Sequence, residues 1–520
     1  MRKRRLKDKV RLGIDFGTTR THVARVESGN YPLITFETEG GEAKEWFPSI
    51  VAGRGLKRLF GWKALSKQTD PDWEMMRSLK GYLSQAKPST SIELGGEKIS
   101  VLALLVEFLK GLREALLENS NLQLNPSTRL EAMVGVPANA NSNQRFLTLE
   151  GFRRAGFDVL GMTNEPSAAG VEYAFRHRQQ TGFRQPEYLL IYDLGGGTFD
   201  LSAIQMDERS QRVIATAGLE RLGGDDFDAI LAGLALSRAG LRPELQSDFL
   251  LLEECREKKE ALSPNTKKIH IDLSCVTGED LEVTVTTDEF YRGCIPLVER
   301  TLTEVEAIFS RSSLEAGHPD WSKGIGLYLV GGAAELPLVA RVLRERYGKR
   351  LRKSLYPRAA VAIGLAIAAD ERMGLALEDQ FTRHFGVWRE AEGGRRMIFD
   401  PIFLKGTVLP SPQESPLVRS RRYEPVHNIG HFRYMEARHV NEQGFPTGDI
   451  AVWDEVRFPF DPALSGETDL SDRPIERLDR DCEPIQAEEV YTCDHQGIVN
   501  VTILNRSTGL QRSYQLRRFQ

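Results

Sequence analysis

Cysteine is scarce: Cys255, Cys275, Cys294, Cys482 and Cys493 are the only five in 520 residues. They are odd in number, widely spaced and form no CxxC pair. That excludes a disulfide framework and fits reduced thiols in a cytoplasm, with Cys482–Cys493 the one conceivable bridge. The nine histidines show no metal-ligand spacing, which argues against a zinc site. Long apolar runs are missing too. Val101 to Val106 and Ala359 to Ala369 are the longest, and both are too short to span a bilayer. Neither sign of charge dominates. A net charge of −4 gives nucleic acid no electrostatic footing. Basic residues crowd only the start (Arg2, Lys3, Arg4, Arg5, Lys7, Lys9 and Arg11), which reads as a solvated tail over residues 1–9. No apolar segment of signal-peptide type follows it.

What remains is an ordinary globular composition, 41% hydrophobic and 27% charged, with length for two to four domains. Its most informative stretch is Ile191-Tyr192-Asp193-Leu194-Gly195-Gly196-Gly197-Thr198-Phe199-Asp200. An apolar strand runs into an acid, three glycines, a hydroxyl and a second acid. Glycines let backbone N–H groups approach an anion closely. The carboxylates can then hold a cation or a water beside a polyphosphate. Leu12-Gly13-Ile14-Asp15-Phe16-Gly17-Thr18-Thr19-Arg20-Thr21 repeats the pattern. Two such turns predict two related lobes around one nucleotide. Asp15 and Asp193 are the expected acids for polarising a Mg²⁺-bound water in phosphoryl transfer.

Residues 10–373 alternate β-rich runs with helical patterns, an α/β reading. Expected helices are Val101 to Leu117, Asn141 to Ala155, Leu251 to Leu262, Leu297 to Phe309, Leu338 to Tyr347 and the nearly all apolar Ala359 to Arg372. Residues 374–380 read as a short connector. From 381 to 520 the character changes to an all-β module. Its expected strands are Met397 to Phe403, Leu417 to Tyr423, His431 to Glu436, Gln486 to Thr492, Gly497 to Leu504 and Gln511 to Leu516. Arg457 to Arg480, rich in Asp, Glu, Pro and Ser, reads as a long loop.

Other turns join the first two. Gly223-Gly224-Asp225-Asp226 leads into a helix and faces an anion by pattern. Gly331-Gly332 precedes a Pro-started helix and would let a flat base or ribose lie against backbone. Lys80 and Glu165 stand in Ser78-Leu79-Lys80-Gly81 and Asn164-Glu165-Pro166-Ser167-Ala168-Ala169. Taken alone, they read as a surface lysine and a helix-entry acid.

In this order the motifs resemble the heat shock protein 70 family of DnaK-type chaperones, within the actin and sugar-kinase superfamily. Val136 to Arg145 is similar to its VPAYF-x-D-x-QR segment, Asn164 to Ala169 to NEPTAA, Leu222 to Asp228 to LGGEDFD, Gly331 to Pro337 to GGSTRIP, and Pro357 to Ala366 to PxxAVAxGxA. Late in the chain, Thr492 to Val501 and Ser507-Thr508-Gly509 resemble strands of its peptide-binding module. Phe399 to Pro410 resembles the module's early strands.

The resemblance implies a two-lobed actin-like ATPase domain followed by a small β-sandwich. It implies that Lys80 positions the γ-phosphate and attacking water, and that Glu165 takes part in the Mg²⁺ shell. Thr18, Thr19 and Thr198 would line the phosphates, with Gly17, Gly195, Gly196, Gly197, Gly223 and Gly224. Lys259, Glu260 and Ser263, with Gly331, Gly332 and Glu335, would flank the nucleoside. Pro137 and Arg145 would relay nucleotide state. Glu260 and Glu335 replace arginines usual in the family, and Arg358 replaces an aspartate. No helical pattern follows the last strands before Gln520, so a lidless homologue is expected.

The function so implied is ATP-dependent binding of unfolded or client polypeptide, with ATP/ADP and Mg²⁺ as cofactors. A J-domain co-chaperone and a nucleotide-exchange factor are the implied partners, and neither nucleic acid nor membrane is expected. Two alternatives stand beside it: a nucleotide-binding scaffold with little turnover, and a small-molecule kinase on the same superfamily fold.

Overall fold

A computed structural model of the chain describes residues 9–86, 90–138, 140–180, 187–206, 210–219, 221–314, 326–374, 376–378, 380–392, 396–411, 413–441, 443–478 and 484–515. The residues of the basic tail before Lys9, Cys482 and the end of the chain after Gln515 lie outside the described set. The chain divides into two compact units. One comprises Met1–Leu83, Thr90–Asn139 and Thr148–Leu377. The other comprises Ser84–Ser89, Ala140–Leu147 and Glu378–Gln520.

The first unit is mixed α/β and holds two large sheets. Strands β1 (Lys9–Phe16), β2 (Arg20–Arg25), β3 (Phe47–Pro48), β4 (Arg129–Val136) and β5 (Asp158–Asn164) make one, in the order β5-β4-β1-β2-β3. Strands β6 (Glu187–Leu194), β7 (Phe199–Met206), β8 (Ser210–Leu219), β9 (Gly326–Val330) and β10 (Leu351–Lys353) make the other. Their order is β10-β9-β6-β7-β8, and β11 (Ala376–Glu378) is added at the edge. In each sheet the first strand pairs antiparallel with the second through an acid-bearing glycine turn. In each it pairs parallel with the fourth on its other side. The duplication read in the two glycine motifs is thus a duplication of strand order and direction.

The helices used below are α1 (Leu79–Leu83), α2 (Val101–Glu118), α3 (Ser142–Arg154), α4 (Glu165–Gln180), α5 (Gly224–Ala239), α6 (Phe249–Glu260), α7 (Thr287–Leu314), α8 (Pro337–Tyr347) and α9 (Ala360–Ala369). Helix α9 is apolar all round and buried all round, as such a sequence requires. Its Ala362, Ile363, Ala366 and Ile367 pack with Ala24 and Val171, while Ala360, Val361 and Leu365 pack with Leu189, Ile191 and Val330. Small residues allow this. A Cβ on Gly364 would stand 1.8 Å from the carbonyl oxygen of Ala168, and one on Gly13 would stand 2.2 Å from the amide of Ala366.

The second unit contains two four-stranded antiparallel sheets around one aromatic-rich core. The first is built from β12 (His384–Ala391), β13 (Arg396–Phe403), β15 (Ile429–Val440) and β16 (Pro446–Pro459), in the order β13-β12-β15-β16. The second is β14 (Leu417–Tyr423), β17 (Ala487–Cys493), β18 (Val499–Asn505) and β19 (Gln511–Gln515), in that order. Phe385, Val387, Phe432 and Tyr434 from one sheet share the core with Tyr491, Val499, Val501 and Ile503 from the other.

Several expectations need correction. Strands β12 and β16 were not expected. In β16 the polar PTGDIAVWDEVRFP run breaks alternation, because its pairing with β15 shifts register twice. The presumed connector contains strand β11, which lies at a sheet edge; Leu375 and Asp379 lie outside the described residues. Helix α7 starts ten residues earlier than its periodic core, because Pro296 sits inside the helix instead of starting it. Helix α9 stops at Ala369, where Asp370 caps a following 3-10 turn. The loop expected from Arg457 begins as the end of β16 and contains a 3-10 turn at Pro462–Leu464.

Candidate functional site

The two glycine turns open into one cleft of the first unit. Asp15, Gly17, Thr18, Thr19, Lys80, Glu165, Asp193, Gly195, Gly196, Thr198 and Gly224 line it, with Lys259, Glu260, Gly331 and Gly332. Local hydrogen bonds shape the turns. The amide of Gly17 donates to Asp15 O at 3.1 Å, and that of Gly195 donates to Thr198 O at 3.0 Å. The start of α5 is tied to the second turn: Gly224 N donates to Gly195 O at 2.9 Å and Asp225 N to Gly196 O at 2.7 Å. A Cβ on Gly223 would lie 2.5 Å from the carbonyl of Gly196, so the two glycine runs are in backbone contact. Gly331 has φ +91° and sits where a Cβ would meet Leu194 O at 2.3 Å and Asp193 Oδ1 at 2.5 Å. Only glycine fulfils both conditions. The Thr19 hydroxyl is buried among these turns with no hydrogen-bond partner among the described residues, which marks a place for an acceptor.

At the centre, Lys80 Nζ donates to Glu165 Oε1 at 2.5 Å, and both side chains are buried. Helix α1 carries the lysine, and the junction of β5 with α4 carries the glutamate. Burial, reinforced by Glu165, pushes the Asp15 carboxyl up to about 7 against the pull of Lys80. Burial, with Glu165, Asp200 and Asp15, raises Asp193 well above the usual carboxylate range. Burial works against the Lys80 ammonium, but Glu165 and Asp15 outweigh it and its pKa is raised. The centre therefore holds more acid than base, and an added cation would relieve the repulsion. Its donors are all oxygens, as Mg²⁺ prefers. Among the described residues no three potential ligands converge on one point. That suits an ion that keeps its own waters, with Asp15 and Asp193 holding them.

The opposite end of the cleft is a charged clasp. Arg20 Nη2 donates to Glu260 Oε2 at 2.8 Å, and Arg358 Nη1 donates to the same oxygen at 2.9 Å. Arg358 also donates to Glu335. Burial works against the Glu260 charge, but the two guanidinium groups hold its carboxyl below the usual range. Arg20 lies over the Trp46 ring at 4.3 Å. On α6, Lys259 bridges Asp228 at 2.6 Å and Gly224 O at 2.7 Å. Arg256 bridges Asp225 at 2.9 Å.

Of the expected residues, Gly197, Gly223, Ser263, Glu335, Pro137 and Arg145 do not line the cleft. Gly223 backs the second turn, and Glu335 acts on Arg358. Ser263 is engaged with Thr266 Oγ1 at 3.0 Å. Arg145 is buried and falls in the second compact unit. Sequence reasoning passed over Arg20, His22 and Arg256, which do line the cleft, as does Asp225 of the third turn. Arg20 directly follows the first turn, and Arg256 stands three residues before Lys259 on α6. Those positions were the available signals.

The second unit has a cavity of about 480 Å³. Trp388, Met397, Tyr423, Val426, Phe432 and Ile475 form its apolar lining. Its polar wall is internally satisfied: Arg389 bonds Asp400 at 2.7 Å and Glu489 at 2.7 Å, and Arg421 also grips Asp400. No helix of the described residues is long and apolar enough to cross a membrane.

The paired turns, the central lysine–glutamate contact and the clasp all lie within the stretch that a comparison with known families picks out. The profile of the Hsp70 protein family matches residues 11–382, well over half of the chain. This chain belongs to the Hsp70 family.

Proposed function

We propose that the chain is an ATP-hydrolysing chaperone: an actin-like, two-lobed nucleotide-binding unit coupled to a β-sandwich that holds client polypeptide. One observation carries this reading. Two acid–glycine turns, from two sheets of the same strand order, meet around Lys80 and Glu165.

In the reaction a water attacks the γ-phosphorus, the bond to the β-phosphate oxygen breaks, and the water's proton passes to a buried carboxylate. Asp15, whose carboxyl burial pushes up to about 7, is the acceptor whose pKa suits that task, with Asp193 beside it in the cleft. Lys80 supplies fixed positive charge to the transferring group, and Glu165 fixes the ammonium. Mg²⁺, when bound through water to Asp15 and Asp193, would neutralise phosphate charge. Thr18, Thr19 and Thr198 supply hydroxyls at the phosphate end. Glu260, Gly331, Gly332 and Arg358 surround the nucleoside end. The client would lie in the cavity of the second unit. A J-domain partner, an exchange factor, a cytoplasmic location and a relay through Pro137 and Arg145 belong to the same reading.

A second reading, a nucleotide-binding scaffold with little turnover, is favoured by one feature. The cleft encloses only about 120 Å³, below the roughly 300 Å³ at which ligand pockets begin. The Arg20–Glu260 and Lys80–Glu165 contacts narrow it. They would have to part for a nucleotide to enter. Steady-state release of inorganic phosphate from ATP, with and without Mg²⁺, separates the two. Turnover that is Mg²⁺-dependent and lost in Asp193→Asn supports the chaperone ATPase. Tight ATP binding with no phosphate release selects the scaffold.

A further inference from the structure

Residues 460–478, which follow β16, do not simply loop through solvent. Just past β16, the amides of Phe460 and Asp461 both donate to Asn428 O, at 2.7 and 3.0 Å. Arg457 Nη1 then donates to the carbonyls of Leu470 and Ser471, each at 2.7 Å, and Arg473 forms a two-bonded pair with Glu467. Thus anchored, residues 474–478 run back as an extended strap beside Val426 to Asn428. Asn428 N donates to Glu476 O at 2.9 Å, and Leu478 N donates to Val426 O at 2.9 Å. His427 and Arg477 are bridged antiparallel. The Asn428 side chain grips the strap twice, accepting from Glu476 N at 2.8 Å and donating to Pro474 O at 3.4 Å. Ile475 takes its place in the lining of the 480 Å³ cavity.

This is the hydrogen-bond scheme of strand addition: an extended segment laid on a free backbone edge, with a side-chain pocket beside it. Among the described residues the ladder has two backbone rungs beside the two Asn428 side-chain bonds, and Ile475 stays 40% exposed, with Val426 at 38% and Met397 at 36%. A tethered occupant of this kind competes at a high effective concentration even when its own contacts are few.

We propose that residues 474–478 are a built-in occupant of the strand-docking edge at Val426 to Asn428. An extended polypeptide with an aliphatic residue in the place of Ile475 must displace this strap to bind. The proposal rests on reading the second unit as a polypeptide-binding module. The strap then sets a threshold. Weak extended segments are refused, and those that outdo its backbone rungs, its Asn428 bonds and its partly exposed isoleucine are admitted.

The test uses the full chain and a fluorescent peptide of the strap's own sequence, residues 471–478. In one variant residues 474–478 are replaced by an equal length of Gly and Ser, and a second carries Ile475→Asp. Circular dichroism and nucleotide binding confirm the fold of each. Both variants are expected to bind the probe at least tenfold more tightly than wild type, and a probe bearing Asp in place of Ile475 is expected to bind neither. Hydrogen exchange supplies a second readout. In wild type the Leu478 amide should be protected, and saturating probe should expose it while the Asn428 amide stays protected. Equal probe affinity in wild type and both variants would overturn the strap. Absence of probe binding in all three, with Leu478 protected in wild type and in Ile475→Asp with or without probe, would instead overturn the polypeptide-binding reading on which it rests.

Discussion

Lys80 is one cation set among four carboxylates: Glu165, Asp15, Asp193 and Asp200. It is the group whose loss a charged transition state should feel most. Lys80→Ala should lower ATP turnover about 10²-fold while ATP affinity changes little, the usual effect of deleting one preorganised charge. Single-turnover hydrolysis at wild-type speed would remove Lys80 from the chemistry. His22 makes a different prediction. Burial first, then the Arg20 charge, lowers its pKa from 6.5 to about 4, and Nδ1 lies 3.0 Å from Glu45 O. The fold keeps this ring neutral. As pH falls from about 6.5 to about 4, the unfolded chain takes up a proton that the folded chain refuses. The stabilisation is therefore complete above pH 6.5 and is lost towards pH 4. It amounts to about 3 kcal/mol, from 1.36 kcal/mol per pKa unit. Urea midpoints at pH 7 and pH 4 should show His22→Asn losing less stability than wild type by that order. An equal loss in both proteins would show that His22 is not the sensor.

Elements that meet without side chains carry the architecture of the first unit. Helices α4 and α9 touch at Gly364 and Ala168, with no space for a methyl group. Gly364→Ala should cost at least about 2 kcal/mol, the upper range for overpacking. The guanidinium midpoint measures it, and a midpoint equal to wild type would contradict the close crossing. Between α6 and the first glycine turn, the contact is ionic. Glu260→Gln weakens the bonds to both Arg20 and Arg358. Stopped-flow binding of a fluorescent nucleotide should then be faster by about tenfold, an effect between those of exposed and buried pairs. An unchanged rate would show that the clasp does not limit entry.

These elements were unequally legible in the sequence. Strands β1 and β6, helix α2 and the buried helix α9 declare themselves by apolar pattern and glycine punctuation. So do the glycine turns of the cleft. Strand β16 does not, because two register shifts erase its alternation. The clasp was hidden for another reason. Arg20, Glu260 and Arg358 are distant in sequence and ordinary in type, and only the fold brings them to one carboxylate oxygen.

At the scale of the whole molecule, each unit has a hydrophobic core of its own. Leu190, Tyr192, Phe199, Phe227 and Val298 belong to one in the first unit, and Phe385, Tyr434, Tyr491 and Val501 to that of the second. In the second core a buried ion pair, Arg389 with Glu489, adds a local dependence on charge satisfaction. Two cores of this kind are expected to unfold in separable steps. A nucleotide that binds the cleft acts by mass action on the unit that contains it. At a free concentration 100 times its dissociation constant it should stabilise that unit by about 2.7 kcal/mol. Arg389→Ala takes the counter-charge from buried Glu489, which keeps the Tyr491 hydroxyl as a donor, and should destabilise the second unit by about 3 kcal/mol, the lower end for breaking a buried pair. Hydrogen exchange followed peptide by peptide in increasing denaturant separates the two effects. Nucleotide should raise the midpoint for residues 187–206 by more than that for residues 487–505, whereas Arg389→Ala should do the reverse, lowering chiefly the latter. If both midpoints move together under both treatments, the chain unfolds as one cooperative body and the independence of the two cores is wrong.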